Sequence, residues 1–200
     1  MEFYRRAPGR PKQLAVLPGT FNPVTVAHLQ LASAALPIVD EVVFVLPRNL
    51  PHKEYTGASF EQRIDMLTTA LADEPHFSLS TSDGGGLFID IARDCRSVYG
   101  SDVRLRFLCG RDAAERIVNW DYGRPDAFAE TLREFELLVA ARNGEFPTPE
   151  EFRHAIQALP LAGDYDRVSA TEVRERIRRG DAWEHLVPDS IREMARGIYR

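Results

Sequence analysis

The sequence has little cysteine, no long apolar run and no excess of positive charge, and each absence narrows the possible classes. Two cysteines, Cys95 and Cys109, are too few and too far from histidine clusters to predict a disulfide scaffold or a metal site. Apolar runs as short as residues 42–46 (VVFVL) cannot cross a membrane as a helix. No apolar segment follows the basic N-terminus, so we expect no secretory signal. The sequence therefore predicts a reduced, cytoplasmic protein with no membrane partner.

Charge and length are those of an ordinary globular domain. Apolar residues make up 44% of the chain and charged residues 28%, which argues against disorder. The formal net charge is -5, so no global positive field attracts nucleic acid. Only the N-terminal arm, with Arg5, Arg6, Arg10 and Lys12, is basic. A length of 200 residues suits one domain with a substantial core, and the sequence leaves a homo-oligomer open.

Strand and helix patterns alternate along the chain. Short apolar or β-branched runs predict strands, and apolar positions at helical spacing predict helices. The predicted strands cover residues 14–17, 41–46, 103–109 and 135–141, and the predicted helices cover 25–36, 59–72 and 87–99. This alternation predicts an α/β fold, a doubly wound parallel sheet with helices on both faces. We expect residues 1–13 to be a flexible tail and residues 14–200 to be a single domain.

The segment GTFNPVTVAH lies between the first predicted strand and the first predicted helix, where doubly wound sheets bind ligands. Gly19 lets the backbone approach a ligand, and the N–H groups of Thr20 and Phe21 can point into the crevice. His28 follows Thr25 by three residues, so both lie on one face of the first helical turn. An imidazole beside a helix N-terminus favours phosphate. The alternative is a capped helix with an ordinary surface or core histidine.

A second candidate phosphate site lies near the C-terminus, in the run RVSATEVRERIRRGD. Ser169 and Thr171 precede or open a predicted helix whose free N–H groups suit an anion. Arg174 on its first turn can grip phosphate with its planar guanidinium. The alternative is a capping box, with Glu172 three residues after Ser169, on a salt-bridged surface helix.

Four further residues suit the rest of a nucleotide and its acceptor. Lys53 follows the second strand in the loop PHK and can bind a phosphate. Gly110 and Asp112 end a later strand in FLCGRD, where a carboxylate suits a ribose hydroxyl. Trp120 follows in NWDYG, although an aromatic side chain belongs more often to the core than to a ligand site.

Together these segments resemble a known family. GTFNPVTVAH resembles the (H/T)xxH signature of the nucleotidyltransferase superfamily, and its GTFNP form resembles the nicotinate/nicotinamide mononucleotide adenylyltransferases. VSATEVR is similar to the family's ISSTxxR motif, with Ala170 in place of its middle serine. The PHK, GRD and tryptophan segments also resemble the family's. The resemblance covers nearly all of residues 14–200.

The resemblance implies a Rossmann-like fold and transfer of AMP from ATP to a pyridine mononucleotide, with release of pyrophosphate, in NAD biosynthesis. It implies that His28 and Arg174 are catalytic and that Mg²⁺ is held mainly by the ATP phosphates rather than by protein ligands. It implies acceptor contacts from Asn22, Lys53 and Trp120. The ATP site it implies comprises Gly19, Thr20, Phe21, Thr25, His28, Gly110, Asp112, Ser169, Thr171 and Arg174.

The resemblance weakens at residues 81–92. Here Leu87 and Phe88 replace polar or stacking groups of the family, after three consecutive glycines at 84–86. This departure keeps open a nucleotidyltransferase for a different phosphate acceptor. A non-catalytic nucleotide-binding relative is the further alternative, and the choice between the acid and amide forms of the acceptor stays open.

Overall fold

The computed structural model describes residues 1–48, 57–82, 86–120, 122–124, 126–140, 146–163, 165 and 167–200. The described residues form a seven-stranded sheet with the order β1-β4-β3-β2-β5-β6-β7. The strands are β1 (Glu2–Arg5), β2 (Gln13–Pro18), β3 (Glu41–Pro47), β4 (Phe77–Ser82), β5 (Arg104–Gly110), β6 (Glu136–Ala140) and β7 (Ile156–Leu159). Strand β1 pairs antiparallel with β4, and the other neighbours are parallel.

Helices connect the strands. The α-helices are α1 (Val26–Ala35), α2 (Phe60–Ala70), α3 (Phe88–Tyr99), α4 (Arg111–Val118), α5 (Ala127–Thr131), α6 (Ala170–Arg179) and α7 (Arg192–Tyr199). Short 3₁₀ helices cover Leu36–Ile38, Glu150–Phe152, Glu184–Leu186 and Asp189–Ile191. No helix in the described ranges is both long and apolar enough to cross a membrane.

Burial on both sheet faces explains why the central strands are continuous apolar runs. Every residue of β3 is buried, and successive side chains enter opposite cores. Phe44 packs in the core covered by α1, α2, α6 and α7, whereas Val43 and Val45 pack in the core covered by α3, α4 and α5. The predicted doubly wound sheet with helices on both faces is therefore confirmed. All seven predicted elements form within a few residues of their expected bounds.

Three strands were not predicted, and the first of them corrects the expected tail. Residues 2–5 are a paired edge strand and not a flexible segment. Arg5 donates from Nε to the Phe77 carbonyl at 3.1 Å, and the Ala7 N–H donates to Ser78 Oγ at 2.8 Å. These partners lie about 70 residues away, so local sequence does not reveal them. Strand β4 was missed because its sequence, FSLSTS, is half serine although it is wholly buried.

A buried carboxylate completes this anchor. Glu41 is 2% exposed, and its Oε1 accepts from Ser78 Oγ at 2.5 Å and from the Tyr99 hydroxyl at 2.6 Å. Burial and the contact with Glu41 raise the pKa of Tyr99, so its hydroxyl stays protonated and donates. The network joins the N-terminal segment, β3, β4 and α3 at the amino end of the sheet, away from the carboxyl ends where a ligand is expected.

We expect the Tyr99→Phe variant to lose about 1–3 kcal/mol of unfolding free energy, because a buried carboxylate would lose one of its two donors. Urea unfolding at neutral pH measures this loss. Tyr4→Phe is the matched control: Tyr4 is 40% exposed, and its removal should change stability by less than about 0.5 kcal/mol. Equal effects of the two substitutions would contradict a special role for the Glu41 network.

Candidate active site

A cleft of about 620 Å³ opens at the carboxyl ends of the central strands. Leu17 and Pro18 of β2, Cys109 and Gly110 of β5, and Ala140 of β6 contribute to its floor. The connections of the sheet change direction between β2 and β5, since β2 continues to β3 on one side and β5 lies on the other. Such a switch point is where open α/β sheets bind ligands, and the volume suits a small organic ligand.

The cleft brings together residues from four of the segments that the sequence singled out. The predicted site residues that line it are Thr25, His28, Gly110, Trp120 and Ser169. Asp112 is exposed on the first turn of α4, directly after the strand end. Lys53 lies outside the described residues, so its predicted contact with the acceptor stays a prediction.

The start of α1 fixes the orientation of His28. Its Nδ1 accepts the backbone N–H of Thr25 at 3.0 Å and lies 2.8 Å from Thr25 Oγ1. Because Nδ1 accepts a backbone proton, the neutral imidazole carries its own proton on Nε2. Thr25 is fully buried, which keeps this pair in place. A fixed Nε2–H donor at a helix N-terminus suits negative charge on phosphate oxygens.

The turn before α1 has a backbone that few residues can adopt. Phe21 has φ of +46°, a left-handed conformation that is uncommon for a residue with a side chain. Its ring is 1% exposed and packs against Phe44 and the edge of His28, with centroids 5.6 and 5.1 Å apart. A Cβ at Gly19 would stand only 2.9 Å from the Phe21 ring. Gly19 therefore has to be glycine for the ring to support His28.

Two arginines hold the carbonyl groups of the same turn. Arg63, 2% exposed, donates from Nη1 to the Thr20 carbonyl at 3.2 Å and from Nε to the Ser59 carbonyl at 3.2 Å. Arg174 donates from Nη1 to the Asn22 carbonyl at 2.6 Å. With both carbonyls held from α2 and α6, the turn keeps one geometry beside the cleft.

The side chain of Asn22 also points into the fold. Its Oδ1 accepts the Ala58 N–H at 3.2 Å and the Tyr199 hydroxyl at 2.7 Å. Burial raises the pKa of Tyr199, which keeps this hydroxyl protonated and donating. Asn22 is only 7% exposed. Its predicted contact with the acceptor stays a prediction; the observed contacts give it a structural role.

Helix α6 begins at the other side of the cleft. Ser169 Oγ accepts the Glu172 N–H at 3.1 Å, and Thr171 Oγ1 accepts from Arg174 Nη2 at 3.2 Å. The Glu172 carboxylate turns to Arg176 at 2.6 Å, and that hydrogen bond lowers the pKa of Glu172. Ser169 thus acts as an N-cap, but the Glu172 side chain pairs with Arg176 instead of completing the capping box. The small Ala170, which replaces the family's middle serine, lines the cleft.

Arg174 joins the two predicted phosphate motifs, which lie far apart in the sequence. Its two hydrogen-bonded nitrogens reach Asn22, 152 residues earlier in the chain, and Thr171 on its own helix. A guanidinium has five N–H donors, so these two contacts leave donors for a ligand. Arg174 does not itself line the cleft in this structure, and its catalytic role stays a prediction.

The far end of the cleft is apolar and accessible. Leu87 and Trp120 are 52% and 53% exposed, and both line it. Phe88 also lines the cleft and is stacked on Phe107 with a centroid separation of 4.6 Å. The sequence singled out Trp120 and noted Leu87 only as a departure from the family. Half-exposed apolar side chains at a cleft suit the face of a flat ring.

The sequence analysis missed several polar residues that line the cleft, among them Arg116, Tyr122, Thr131 and Tyr165. The spacing of Ala113, Arg116 and Trp120 along α4 and the turn after it was a signal that could have found Arg116, because residues three or four apart share a helix face. Cys109 lines the cleft but is not a candidate nucleophile. Burial raises the pKa of its thiol to about 12, so it stays protonated at neutral pH.

Comparison with known proteins agrees with this geometry. Residues 16–176 match the model of the cytidylyltransferase-like family. The chain is 30% identical over 209 residues to a protein of Moorella thermoacetica described as a probable nicotinate-nucleotide adenylyltransferase, with 96% of this chain and 93% of the relative covered. A protein of Chromohalobacter salexigens with the same description is 31% identical over 218 residues, with coverage of 96% and 98%.

A solved structure shares the fold. The Plasmodium falciparum nicotinic acid mononucleotide adenylyltransferase, solved in complex with NaAD, superposes with a TM-score of 0.67. The sequence identity is 17%, and the match covers 91% of this chain and 95% of that one. At this identity the likeness supports the architecture of the sheet and its helices alone.

We expect Gly19→Ala to destabilise the protein by about 1–3 kcal/mol, because the new methyl group would press against a buried aromatic ring. Chemical denaturation measures the change. Gly197→Ala is the control: nothing lies within 4 Å of a Cβ at that position in α7, and alanine should raise stability by up to about 1 kcal/mol. If Gly19→Ala proved as harmless as the control, the Phe21 ring would not constrain the turn.

Proposed function

The chain belongs to the cytidylyltransferase-like family and, within it, to the nicotinate-nucleotide adenylyltransferases, and from this premise we propose that it transfers the AMP group of ATP to nicotinate mononucleotide. The observation that carries the proposal is the convergence of two phosphate-directed helix starts on one cleft. The N-terminus of α1 contributes His28, and the N-terminus of α6 contributes Ser169. Arg174 connects the two. The acceptor has room at the apolar end, beside Leu87 and Trp120.

The reaction needs positioning and charge stabilisation more than a protein nucleophile. A phosphate oxygen of the acceptor attacks the α-phosphorus of ATP, the bond from that phosphorus to the oxygen bridging to the β-phosphate breaks, and pyrophosphate leaves. We propose that the Nε2–H of His28 donates to the phosphate oxygens on which negative charge accumulates. A preoriented donor of this kind lowers the barrier because it need not reorganise during the reaction.

The remaining site residues take roles along the bound nucleotide. In this proposal the free N–H groups at the start of α6, with Ser169, Thr171 and Arg174, hold the β- and γ-phosphates. Gly110 and Asp112 lie at the ribose. The turn containing Gly19, Thr20 and Phe21 approaches the phosphates through its backbone. Thr25 acts through His28, because its buried N–H and hydroxyl set which imidazole nitrogen carries the proton.

The divalent cation enters as a partner of ATP in this proposal. Within the described ranges, no three His, Cys, Asp or Glu side chains come together to hold a metal ion. Mg²⁺ is commonly bound through substrate phosphates with few protein ligands, so we propose Mg²⁺–ATP as the substrate. The ion would neutralise phosphate charge and favour the departure of pyrophosphate.

We also propose that the protein works in the cytoplasm. Cys95 and Cys109 are free and buried, which agrees with a reducing compartment.

We expect His28→Ala to reduce kcat about 100-fold or more, because one preoriented donor is lost from the reacting phosphates. Pyrophosphate release from ATP, Mg²⁺ and nicotinate mononucleotide measures the rate. His185→Ala is the matched control, since His185 is exposed on the 3₁₀ helix Glu184–Leu186 and does not line the cleft. A loss of less than about threefold in a folded His28→Ala protein would contradict the role of His28.

The same assay with a panel of phosphate-bearing acceptors tests the substrate. Turnover with another acceptor, and none with a pyridine mononucleotide, would replace the proposed acceptor. ATP binding without turnover on any acceptor would indicate a non-catalytic nucleotide-binding protein.

Chelation should distinguish a Mg²⁺ ion that arrives with ATP from a metal ion that the protein itself binds. We expect EDTA to stop pyrophosphate release and added Mg²⁺ to restore it, because ATP loses its charge-neutralising ion. EDTA alone should leave the thermal unfolding midpoint of the ligand-free protein unchanged. A lower midpoint would show that the protein holds a structural ion of its own.

A further inference from the structure

Helix α4 and the turn after it present one stripe of side chains to the cleft. Ala113, Arg116, Ile117 and Trp120 all line it, at the spacing of three and four residues that places side chains on one helix face. Among the residues that the structure describes, Arg116 is the only Arg, Lys, Asp or Glu side chain that lines the cleft. A permanent positive charge therefore lies beside an otherwise apolar wall.

The guanidinium of Arg116 keeps most of its donors for a ligand. Its Nε donates to the Asp112 carbonyl at 3.2 Å, one turn earlier on the same helix. Its two Nη groups make no hydrogen bond or ion pair with the described part of the chain. By contrast, Arg111 on the same helix is paired with Glu115 at 2.8 Å. Arg116 is thus a cation at the cleft that no carboxylate of the described residues pairs with.

The position of Arg116 indicates which anion it would meet. The reacting phosphates must lie near His28 and Ser169, at the helix starts. Arg116 instead lies four residues before Trp120, whose half-exposed side chain lines the same cleft as Leu87. A substrate that places its phosphate at the helix starts and a flat ring against Trp120 would bring a ring substituent toward Arg116. An anion attached to the ring, and not the phosphate, fits this cation.

We propose that Arg116 binds the carboxylate of the nicotinate ring and so makes the enzyme prefer the acid form of the acceptor over the amide. This inference rests on the proposed function. A guanidinium and a carboxylate can form two parallel charge-assisted hydrogen bonds, whereas a neutral carboxamide offers one acceptor oxygen and no charge.

The experiment compares kcat/KM for nicotinate mononucleotide and nicotinamide mononucleotide in the wild type and in Arg116→Gln. We expect the variant to lose about ten- to a hundredfold in kcat/KM for the acid, mostly through KM, because a charge-assisted contact is removed. Its kcat/KM for the amide and its KM for ATP should stay within about threefold of wild type. Arg116→Lys, which keeps the charge and loses the planar pair of donors, should fall between.

Arg104→Gln is the matched control. It removes the same charge at the amino end of β5, where Arg104 is paired with Glu136, far from the carboxyl ends that form the cleft. It should leave the acid-to-amide ratio unchanged. Equal losses of kcat/KM for both acceptors in Arg116→Gln would overturn the proposal, since Arg116 would then contact a phosphate or stabilise the fold. An unchanged ratio in the variant, or a wild type that uses both acceptors equally, would overturn it as well.

Failure of the proposed function gives a different result. In that case the wild type releases no pyrophosphate with either pyridine mononucleotide, and no ratio can be formed. Turnover of the acid by the wild type with an unaltered ratio in Arg116→Gln would leave the proposed function standing and reject the role of Arg116 alone.

Discussion

The hydrogen bond from Arg174 to the Asn22 carbonyl, at 2.6 Å, joins parts of the chain that the sheet alone would leave independent. The turn before α1 follows β2 near the beginning of the fold, and α6 comes after the last strand. Without a tie between them, the two helix starts could shift relative to each other, and a triphosphate spanning both would meet a wider site. Positioning of this kind is what a group transfer without a protein nucleophile depends on. The same guanidinium also holds Thr171, so one side chain orders both motifs.

Further contacts hold the same turn and the histidine that follows it. Arg63 holds the Thr20 carbonyl from α2, and the Phe21 ring fills the space that Gly19 leaves beneath the turn. The Thr25 N–H donates to His28 Nδ1, so the proton of the neutral imidazole is on Nε2. Arg63, Phe21 and Thr25 are buried, whereas the cleft residues Leu87 and Trp120 are half exposed. The turn before α1 is thus held by hydrogen bonds and packing, and the apolar side chains of the cleft are accessible.

The sequence could reveal the features that depend on local pattern. Apolar runs and helical spacing predicted the central strands and the helices on both faces, and the motif resemblance predicted that Thr25, His28 and Ser169 would meet at one cleft. Long-range pairing could not be predicted. Strand β1 has no apolar run and depends on partners about 70 residues away, and β4 is buried although it is rich in serine. Likewise, no local pattern showed that the Asn22 side chain is held inside the fold by Ala58 and Tyr199.

The contact of Tyr199 with Asn22 has a consequence for the order of events on the ribosome. The two residues are 177 positions apart, so the turn before α1 emerges from the exit tunnel long before the hydroxyl that supports it has been synthesised. A nascent chain can pair its central strands early, yet it cannot complete this turn until α7 has been released. The turn before α1 therefore gains its full set of contacts only late in biosynthesis, and a chain arrested before α7 would lack the Tyr199 hydrogen bond.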